Sequence, residues 1–224
     1  MCTTLDRAQA GGPDTPSYLL FTGIELWRYG AFLYGGALWS PDGLDADGFT
    51  LKVLLNGGKY SYFSGGLQQT IDGTLASAAA LPGWRFTRDG LTVSLFLGPV
   101  VQDYRLTPVD PGSRLHGFYV GGEFAADIWY QPSPRTLATV SGGITSIDAT
   151  GYLRTSFGFR VFQPAFIGPE IQEYWTGNYQ ELQFGAHMTG LHLNGLEWLA
   201  GSGWALTSDH RWGPYFHVGV NARY

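Results

Sequence analysis

The 224-residue sequence has few charged residues, a single cysteine and no long apolar run. Asp, Glu, Lys and Arg make up 14% of it, against roughly 25% in an ordinary soluble domain. Cys2 has no second cysteine with which to form an internal disulfide. No stretch of apolar residues is long enough for a transmembrane helix. The net charge of −5 argues against nucleic acid as a partner, because phosphate binding requires a basic surface.

Glycine and aromatic residues are abundant instead. There are 33 glycines, and Phe, Trp and Tyr make up 16% of the chain. Hydrophobic residues amount to 44%, an intermediate value expected when alternate residues face lipid and a polar lumen. Glycine and proline recur too often for long helices. The composition therefore favours a membrane β-barrel over a helical membrane protein.

Apolar and polar residues alternate with period two through most of the chain. In the clearest run, Phe118 and Phe124 share one face while Glu123 and Asp127 share the other. Twelve strands are predicted, at 17–28, 31–40, 49–62, 74–87, 91–105, 115–130, 136–147, 152–162, 165–175, 179–191, 195–207 and 214–224. An even number of strands is the rule for bacterial outer-membrane barrels. The sequence predicts an all-β, antiparallel up-and-down transmembrane β-barrel over 17–224, with both termini periplasmic, after a disordered N-terminal tail over 1–16.

The last strand alternates in the same way and ends on an aromatic residue, Tyr224. This pattern resembles the signal by which outer-membrane barrels are recognised for assembly, and it predicts that location. A soluble sandwich or lipocalin-like barrel is the alternative, because it too can bury one face of each strand. Aromatic residues near strand ends fit an interfacial belt better. They are Trp39, Trp84, Trp198, Trp204 and Tyr224.

Motifs for metal or cofactor chemistry are missing from the sequence. The histidines have no cysteine partners and no HxxxH spacing, so no metal site is predicted. No P-loop, G-x-S-x-G elbow or dinucleotide fingerprint occurs, so no cofactor is predicted. Paired glycines such as Gly121-Gly122 are interpreted as strand glycines that make room for large inward neighbours.

Alternation assigns a set of charged residues to the lumen. They are Glu25, Lys52, Arg85, Glu123, Asp127, Arg154, Arg160, Glu181, His187, Glu197, His217 and Arg223. Acids and bases nearly balance, which predicts a network of paired charges across the lumen, since an unpaired buried charge is costly. The alternative is a narrow polar conduit or a sugar-contacting wall. Aromatic residues available to stack on pyranose rings there are Trp27, Tyr34, Tyr119 and Trp129.

Two further hypotheses concern the ends and the wall of the barrel. An outer rim cluster is predicted from Asp103, Arg105, Asp209, His210 and Arg211. A lipid hydrolase, of the phospholipase or lipid A deacylase type, would need a serine and a histidine within hydrogen-bond reach on the lipid-facing wall. The register places His187 and His217 on the lumen face, which disfavours that alternative.

Five stretches of the chain carry a family resemblance: 23–36, 39–43, 47–52, 81–86 and 208–211. They resemble the cellulose biosynthesis protein BcsS family, and the likeness spans about 20–224. The resemblance implies an outer-membrane location, contact with outer-membrane lipid, and a link to cellulose or another exopolysaccharide and to cellulose-secretion proteins. It implies no catalytic residues. The expected role is therefore non-enzymatic, in biosynthesis, secretion or surface attachment of the polysaccharide, with a plugged scaffold barrel for envelope partners as an alternative.

Overall fold

The computed structural model describes residues 15–162, 164–176 and 179–224. Its twelve strands are β1 (Tyr18–Trp27), β2 (Gly30–Trp39), β3 (Gly48–Ser64), β4 (Gln69–Arg88), β5 (Leu91–Thr107), β6 (Gly117–Ser133), β7 (Thr136–Thr145), β8 (Gly151–Arg160), β9 (Phe166–Trp175), β10 (Gln180–Leu193), β11 (Leu196–Thr207) and β12 (Trp212–Arg223). Each strand pairs antiparallel with the next, and β12 pairs with β1. The predicted closed barrel of twelve strands is confirmed. No described helix is long and apolar enough to cross a membrane.

The barrel has an apolar outer surface and a polar interior. On the outer face, Leu97 is 67% exposed and Val120 is 69% exposed, whereas the inward Gln183 and His217 are 0% and 2% exposed. The alternation seen in the sequence produces this arrangement, because successive side chains of a strand point to opposite faces. A lipocalin-like soluble barrel requires the reverse arrangement, and that alternative is wrong.

Strands β3 to β6 are the longest, with 17 to 20 residues each. The link between the strands predicted at 49–62 and 74–87 is in fact a turn at 65–68, because β3 and β4 remain paired as far as Ser64 and Gln69. Gly65-Gly66 and the polar run Gln68-Gln69-Thr70 are typical of a loop. Both strands nevertheless continue, because each satisfies the backbone hydrogen bonds of the other.

The two ends of the barrel are distinguished by what they carry. The first and last described residues lie at one end, here called the terminus end, where the Ser17 N–H donates to the Tyr224 carbonyl at 2.7 Å. The opposite end, here called the loop end, carries the links at 28–29, 65–68, 108–116, 146–150 and 208–211. Residues 1–14 of the predicted tail lie outside the described residues. The periplasmic location of the termini stays a prediction.

The interior wall formed by β2 to β6 is partly apolar. Its buried cluster contains Leu38, Leu44, Ala79, Leu81, Phe96, Val100, Tyr104, Leu115, Ala125 and Ile147. Leu115 belongs to the link between β5 and β6, so this link folds inward at the loop end. Asp110 of the same link accepts hydrogen bonds from the Tyr62 hydroxyl at 2.9 Å and from the Gly112 N–H at 3.0 Å. These contacts hold the link against the inner wall.

Candidate functional site: the barrel lumen

A cavity of about 1350 Å³ runs through the lumen. Arg85, Trp129 and Arg223 line it near the terminus end, and Tyr62 and Asp110 line it near the loop end. One continuous cavity therefore reaches from one end of the barrel to the other.

Carboxylates outnumber cations in the part of this lining that the structure describes. The carboxylates are Glu25, Asp45, Asp110, Glu123, Asp127, Glu181, Glu197 and Asp209, and the Lys and Arg residues are Lys52, Arg85, Arg154 and Arg223. The sequence predicted a near balance of charge. The difference has two causes. The turn and loop residues Asp45, Asp110 and Asp209 also face the cavity, and strand alternation says nothing about such residues. In addition, the predicted lumen residue Arg160 is not part of the cavity lining.

Glu170 is the centre of the most buried polar network. It is 2% exposed, and its carboxylate lies 2.8 Å from Nη2 of Arg154 and 2.7 Å from Nε2 of His217. The Tyr215 hydroxyl donates to the same carboxylate at 2.9 Å. The three strands β8, β9 and β12 thus place one acid between an arginine, a histidine and a tyrosine. The network satisfies a charge that would otherwise be costly inside the barrel.

A second network joins two carboxylates through an amide. Nε2 of Gln183 donates to Glu25 and to Glu181, at 2.8 Å in each case. The Tyr174 hydroxyl donates to Glu25 at 2.7 Å, and the Tyr179 hydroxyl donates to Glu181 at 2.9 Å. Each carboxylate oxygen has two lone pairs, so both acids keep free acceptor positions beside the cavity.

A third network surrounds Lys52. Its ammonium lies 2.7 Å from the carboxylate of Asp127, which also accepts a hydrogen bond from Ser141 at 2.6 Å. The ammonium lies 5.2 Å from the centre of the Phe96 ring as well. Lys52 is therefore held between a carboxylate and an aromatic face on the wall of the cavity.

The other predicted lumen residues lie outside these three networks. Arg85 donates to Ser94 at 3.1 Å and to the Leu44 carbonyl, and Arg223 pairs with Asp45 at 3.4 Å. Four further residues complete the set. Glu123 and Glu197 line the cavity, and His187 is buried with Nδ1 2.9 Å from the Thr189 hydroxyl. Arg160 lies over the Phe166 ring at 4.7 Å.

The four aromatic residues predicted to stack on sugars have different surroundings. Trp27, Tyr34 and Trp129 line the cavity. Trp27 is only 8% exposed, and it packs against Tyr29 with ring centres 5.2 Å apart. The Tyr119 hydroxyl donates to the carbonyl of Arg114 at 2.7 Å, and it therefore anchors the inward link.

The predicted outer rim residues form two separate groups. Arg105 pairs with Asp103 at 2.9 Å on the outward face of β5. Asp209 and Arg211 form an ion pair at 2.7 Å. Asp209 also accepts a hydrogen bond from the Phe63 N–H at 3.1 Å, which holds the turn against β3. His210 lies between them in the turn, with a positive φ of 60°.

The pKa of Asp209 is lowered by these contacts. Partial burial opposes the shift, but hydrogen bonds from Thr207 and Phe63 and the charge of Arg211 outweigh burial. The carboxylate therefore stays charged to lower pH than an ordinary aspartate.

Large inward side chains lie opposite glycines on neighbouring strands. The cross-strand pairs are Trp27 with Gly30, Phe32 with Gly58, Tyr34 with Gly23, Tyr60 with Gly73, Tyr152 with Gly143, Trp175 with Gly151 and His217 with Gly201. At each of these glycines a Cβ would meet the partner's side chain within 3 Å. The rings thus occupy space that a second side chain would need, which leaves the centre of the lumen open.

Phe32, Tyr60 and Tyr62 form a row that we call the aromatic track. The ring centres of Phe32 and Tyr60 lie 6.3 Å apart with planes inclined by 13°. Tyr60 and Tyr62 are also 6.3 Å apart, with planes inclined by 20°. All three line the cavity in its loop-end half.

The model of the family described as cellulose biosynthesis protein BcsS matches residues 19–224. The chain belongs to this family. The match covers nearly the whole chain and confirms the resemblance seen in the sequence. It ties the BcsS-family barrel to cellulose biosynthesis.

Solved outer-membrane proteins are similar to the BcsS-family barrel. The β-domain of the Bordetella autotransporter BrkA is 15% identical with a TM-score of 0.50, covering 94% of this chain and 100% of that one. The KdgM porin is 9% identical with a TM-score of 0.48, covering 92% and 99%. The transport unit of the Escherichia coli autotransporter AIDA-I is 9% identical with a TM-score of 0.46, covering 99% and 93%. At 15% identity the first likeness shows the fold alone. A comparison with curated proteins finds no match.

Sequence reasoning missed several lumen residues of the BcsS-family barrel, above all Glu170. The signal was present, because Glu170, Gln172 and Tyr174 alternate along one face of β9. The preceding Gly168-Pro169 obscured the alternation. The aromatic track was missed for a different reason, since aromatic residues on β2 and β3 occur on both faces.

The acids and histidines of the BcsS-family lumen bear on metal binding and on lipid hydrolysis. No three His, Cys, Asp or Glu side chains converge as a metal site among the described residues. His187 and His217 are each 2% exposed and point into the barrel, away from the surface that would meet a lipid substrate.

Proposed function

We propose that this barrel is an outer-membrane conduit for a glycan chain of cellulose biosynthesis, and that it works without catalysing a reaction. The observation that carries the proposal is the continuous cavity lined by residues from both ends of the barrel. The apolar outer surface supports a membrane location, because exposed apolar surface on this scale is stable in lipid and not in water. Family membership supports the choice of glycan and of cellulose-secretion proteins as partners.

The size of the cavity suits a single extended chain. The twelve strands average about 13 residues, which at about 3.3 Å per residue and a tilt of about 40° makes a barrel roughly 34 Å long. A cavity of about 1350 Å³ spread over that length has a mean cross-section of roughly 40 Å² that is accessible to the centre of a water molecule. With the radius of water added, the mean width is about 10 Å. One extended sugar chain fits such a channel, and a folded protein does not.

Neighbouring alanines on β4 allow a sharp test of the conduit. Ala79 lines the cavity, and Ala80 is exposed on the outer face. In planar lipid bilayers we expect the wild-type barrel to conduct ions. Ala79→Trp should lower the single-channel conductance roughly twofold or more, because an indole then projects into a channel about one sugar wide.

Ala80→Trp is the matched control, since it adds the same indole on the lipid side. Its conductance should equal that of the wild type. A wild-type barrel that inserts but does not conduct would overturn the proposal and favour a scaffold. Equal conductance in all three proteins would place the ion path outside the lumen and would overturn it as well.

A further inference from the structure

Two rings of the aromatic track can lie flat against the barrel wall because each has a glycine as its cross-strand partner. Phe32 lies opposite Gly58 and Tyr60 lies opposite Gly73, and in each pair the ring covers the glycine. One side of each ring therefore rests on the barrel wall while the ring also lines the cavity. With planes inclined by only 13° and 20°, the three rings form a nearly continuous apolar strip along the lumen.

Hydrogen-bond acceptors lie directly beside this strip. Glu25 is the cross-strand partner of Phe32, so their Cβ atoms are close neighbours on the same face. The carboxylates of Glu25 and Glu181 are fixed by Gln183, Tyr174 and Tyr179 and keep free lone pairs. At the other end of the strip, Asp110 is held by the Tyr62 hydroxyl.

A flat aromatic surface next to fixed carboxylates matches the apolar face and the polar edge of a sugar ring. The C–H face of a pyranose ring packs on an aromatic face, because the ring quadrupole attracts the slightly positive hydrogens. The equatorial hydroxyls at the edge of the sugar donate hydrogen bonds, and charged acceptors strengthen those bonds.

The charge of the lumen restricts the kind of sugar. Carboxylates exceed cations by eight to four in the described cavity lining. An anionic polysaccharide would lose its hydration and meet like charges in a narrow channel, which is unfavourable. A neutral chain avoids this penalty and can use the carboxylates as acceptors.

We propose that the aromatic track, together with Glu25, is a binding subsite for consecutive pyranose rings of a neutral, unbranched glycan, and that the lumen discriminates against acidic glycans. This inference rests on the proposed conduit function. It identifies Phe32, Tyr60 and Tyr62 as the residues that contact the sugar faces.

Blockade of the ion current by oligosaccharides tests the subsite in the intact barrel. The probes are cellohexaose and, as an acidic chain of equal length, hexagalacturonate. We expect cellohexaose to block the wild-type channel and hexagalacturonate to bind about tenfold more weakly or worse. Tyr60→Leu should weaken the cellohexaose blockade about tenfold, because it keeps apolar bulk but removes the flat face.

Two control variants separate ring stacking from other effects. Tyr60→Phe keeps the ring and should bind cellohexaose nearly as the wild type does. Phe118→Leu makes the same aromatic-to-leucine change on the outer face, where Phe118 is 66% exposed, and should leave the blockade unchanged. If Tyr60→Leu does not insert, Phe32→Leu provides the same test on the neighbouring ring.

Undiminished cellohexaose blockade in the leucine variant would overturn the subsite. Hexagalacturonate binding as tightly as cellohexaose would overturn the preference for neutral chains. In both cases a conducting wild-type barrel sensitive to Ala79→Trp would leave the conduit standing. Failure of the conduit itself would show as a wild-type barrel that does not conduct, which is a different result.

Discussion

Tyr60 and Gly73 face each other across β3 and β4, and the phenol ring occupies the space that a side chain at Gly73 would fill. The glycine is therefore a steric requirement of the inner wall and has no role in a turn. The same relationship between an inward ring and a glycine recurs around the barrel. It explains why a chain so rich in aromatic residues is also rich in glycine.

Gly73→Ala should destabilise the barrel by displacing Tyr60. A Cβ at this position overlaps the ring, so the ring must move toward the lumen or the strands must separate. Overpacking of this kind costs about 1–3 kcal/mol in the free energy of unfolding. Urea unfolding of the barrel in lipid vesicles measures the loss.

Gly57→Ala on the neighbouring strand is the matched control. A Cβ there would meet only the Leu75 carbonyl oxygen, at the ordinary contact distance of 3.6 Å. We expect its free energy of unfolding to change by about 0.5 kcal/mol or less. Equal destabilisation by the two substitutions would contradict the steric explanation.

Glu170→Ala should be among the most destabilising single changes in the lumen. It leaves Arg154 without its carboxylate partner at 2.8 Å and removes the acceptor of the Tyr215 hydroxyl. Breaking a buried ion pair by removing one partner costs about 3–5 kcal/mol. Urea unfolding again provides the measurement. Glu173→Ala, on the same strand, is the control. It should cost about 1 kcal/mol or less, because the Glu173 side chain is more exposed than that of Glu170. A loss of stability as large as that of Glu170→Ala would argue against Glu170 as the centre of the network.

The strand pattern could be predicted from the sequence because lipid and lumen impose opposite demands on alternate residues. Phe124 and Glu123 were assigned to opposite faces by parity alone, and the structure places them so, with Phe124 47% exposed and Glu123 6% exposed. Strand ends were less predictable. The turn at 65–68 was expected to be longer, since the pairing that extends β3 and β4 is a property of two strands together.

Contacts between distant strands could not be read from the sequence. Glu25 and Gln183 are 158 residues apart in the chain. They meet because the barrel is closed: only β12 and β11 separate β1 from β10, and both side chains point into the lumen. Alternation assigns a residue to the lumen, but its partner depends on the stagger of the strands. The inward-facing acids of the turns, such as Asp45, were missed for the related reason that turns have no alternation.

Lys52→Met should make the channel more selective for cations. Lys52 is a lumen cation paired with Asp127 at 2.7 Å, and its removal leaves that carboxylate uncompensated on the cavity wall. The potassium-to-chloride permeability ratio should rise, as measured from the reversal potential in a potassium chloride gradient. Lys59→Met is the control, because Lys59 is exposed on the outer face of the same strand. A rise of similar size in that variant would contradict the assignment of Lys52 to the ion path.

Acid should release the turn at 208–211 from β3, but only at low pH. Asp209 has a pKa below the ordinary 3.8, so its contribution is fully present above that value and is lost as the pH falls through the lowered pKa. The Phe63 amide, which donates to Asp209 at 3.1 Å, should therefore stay protected from hydrogen exchange at pH 5. Its protection factor, which corrects for the intrinsic effect of pH on exchange, should drop only below about pH 4.

Asp209→Asn provides the comparison for this titration. The amide oxygen can still accept from Phe63, but it has no charge to pair with Arg211, which lies 2.7 Å from the carboxylate. The variant should show weaker protection of the Phe63 amide that does not depend on pH between 5 and 3. If protection in the wild type fell already between pH 6 and 5, the transition would belong to another group. The ion pair would then not be what holds the turn to β3, because a carboxylate with a lowered pKa is still fully charged in that range.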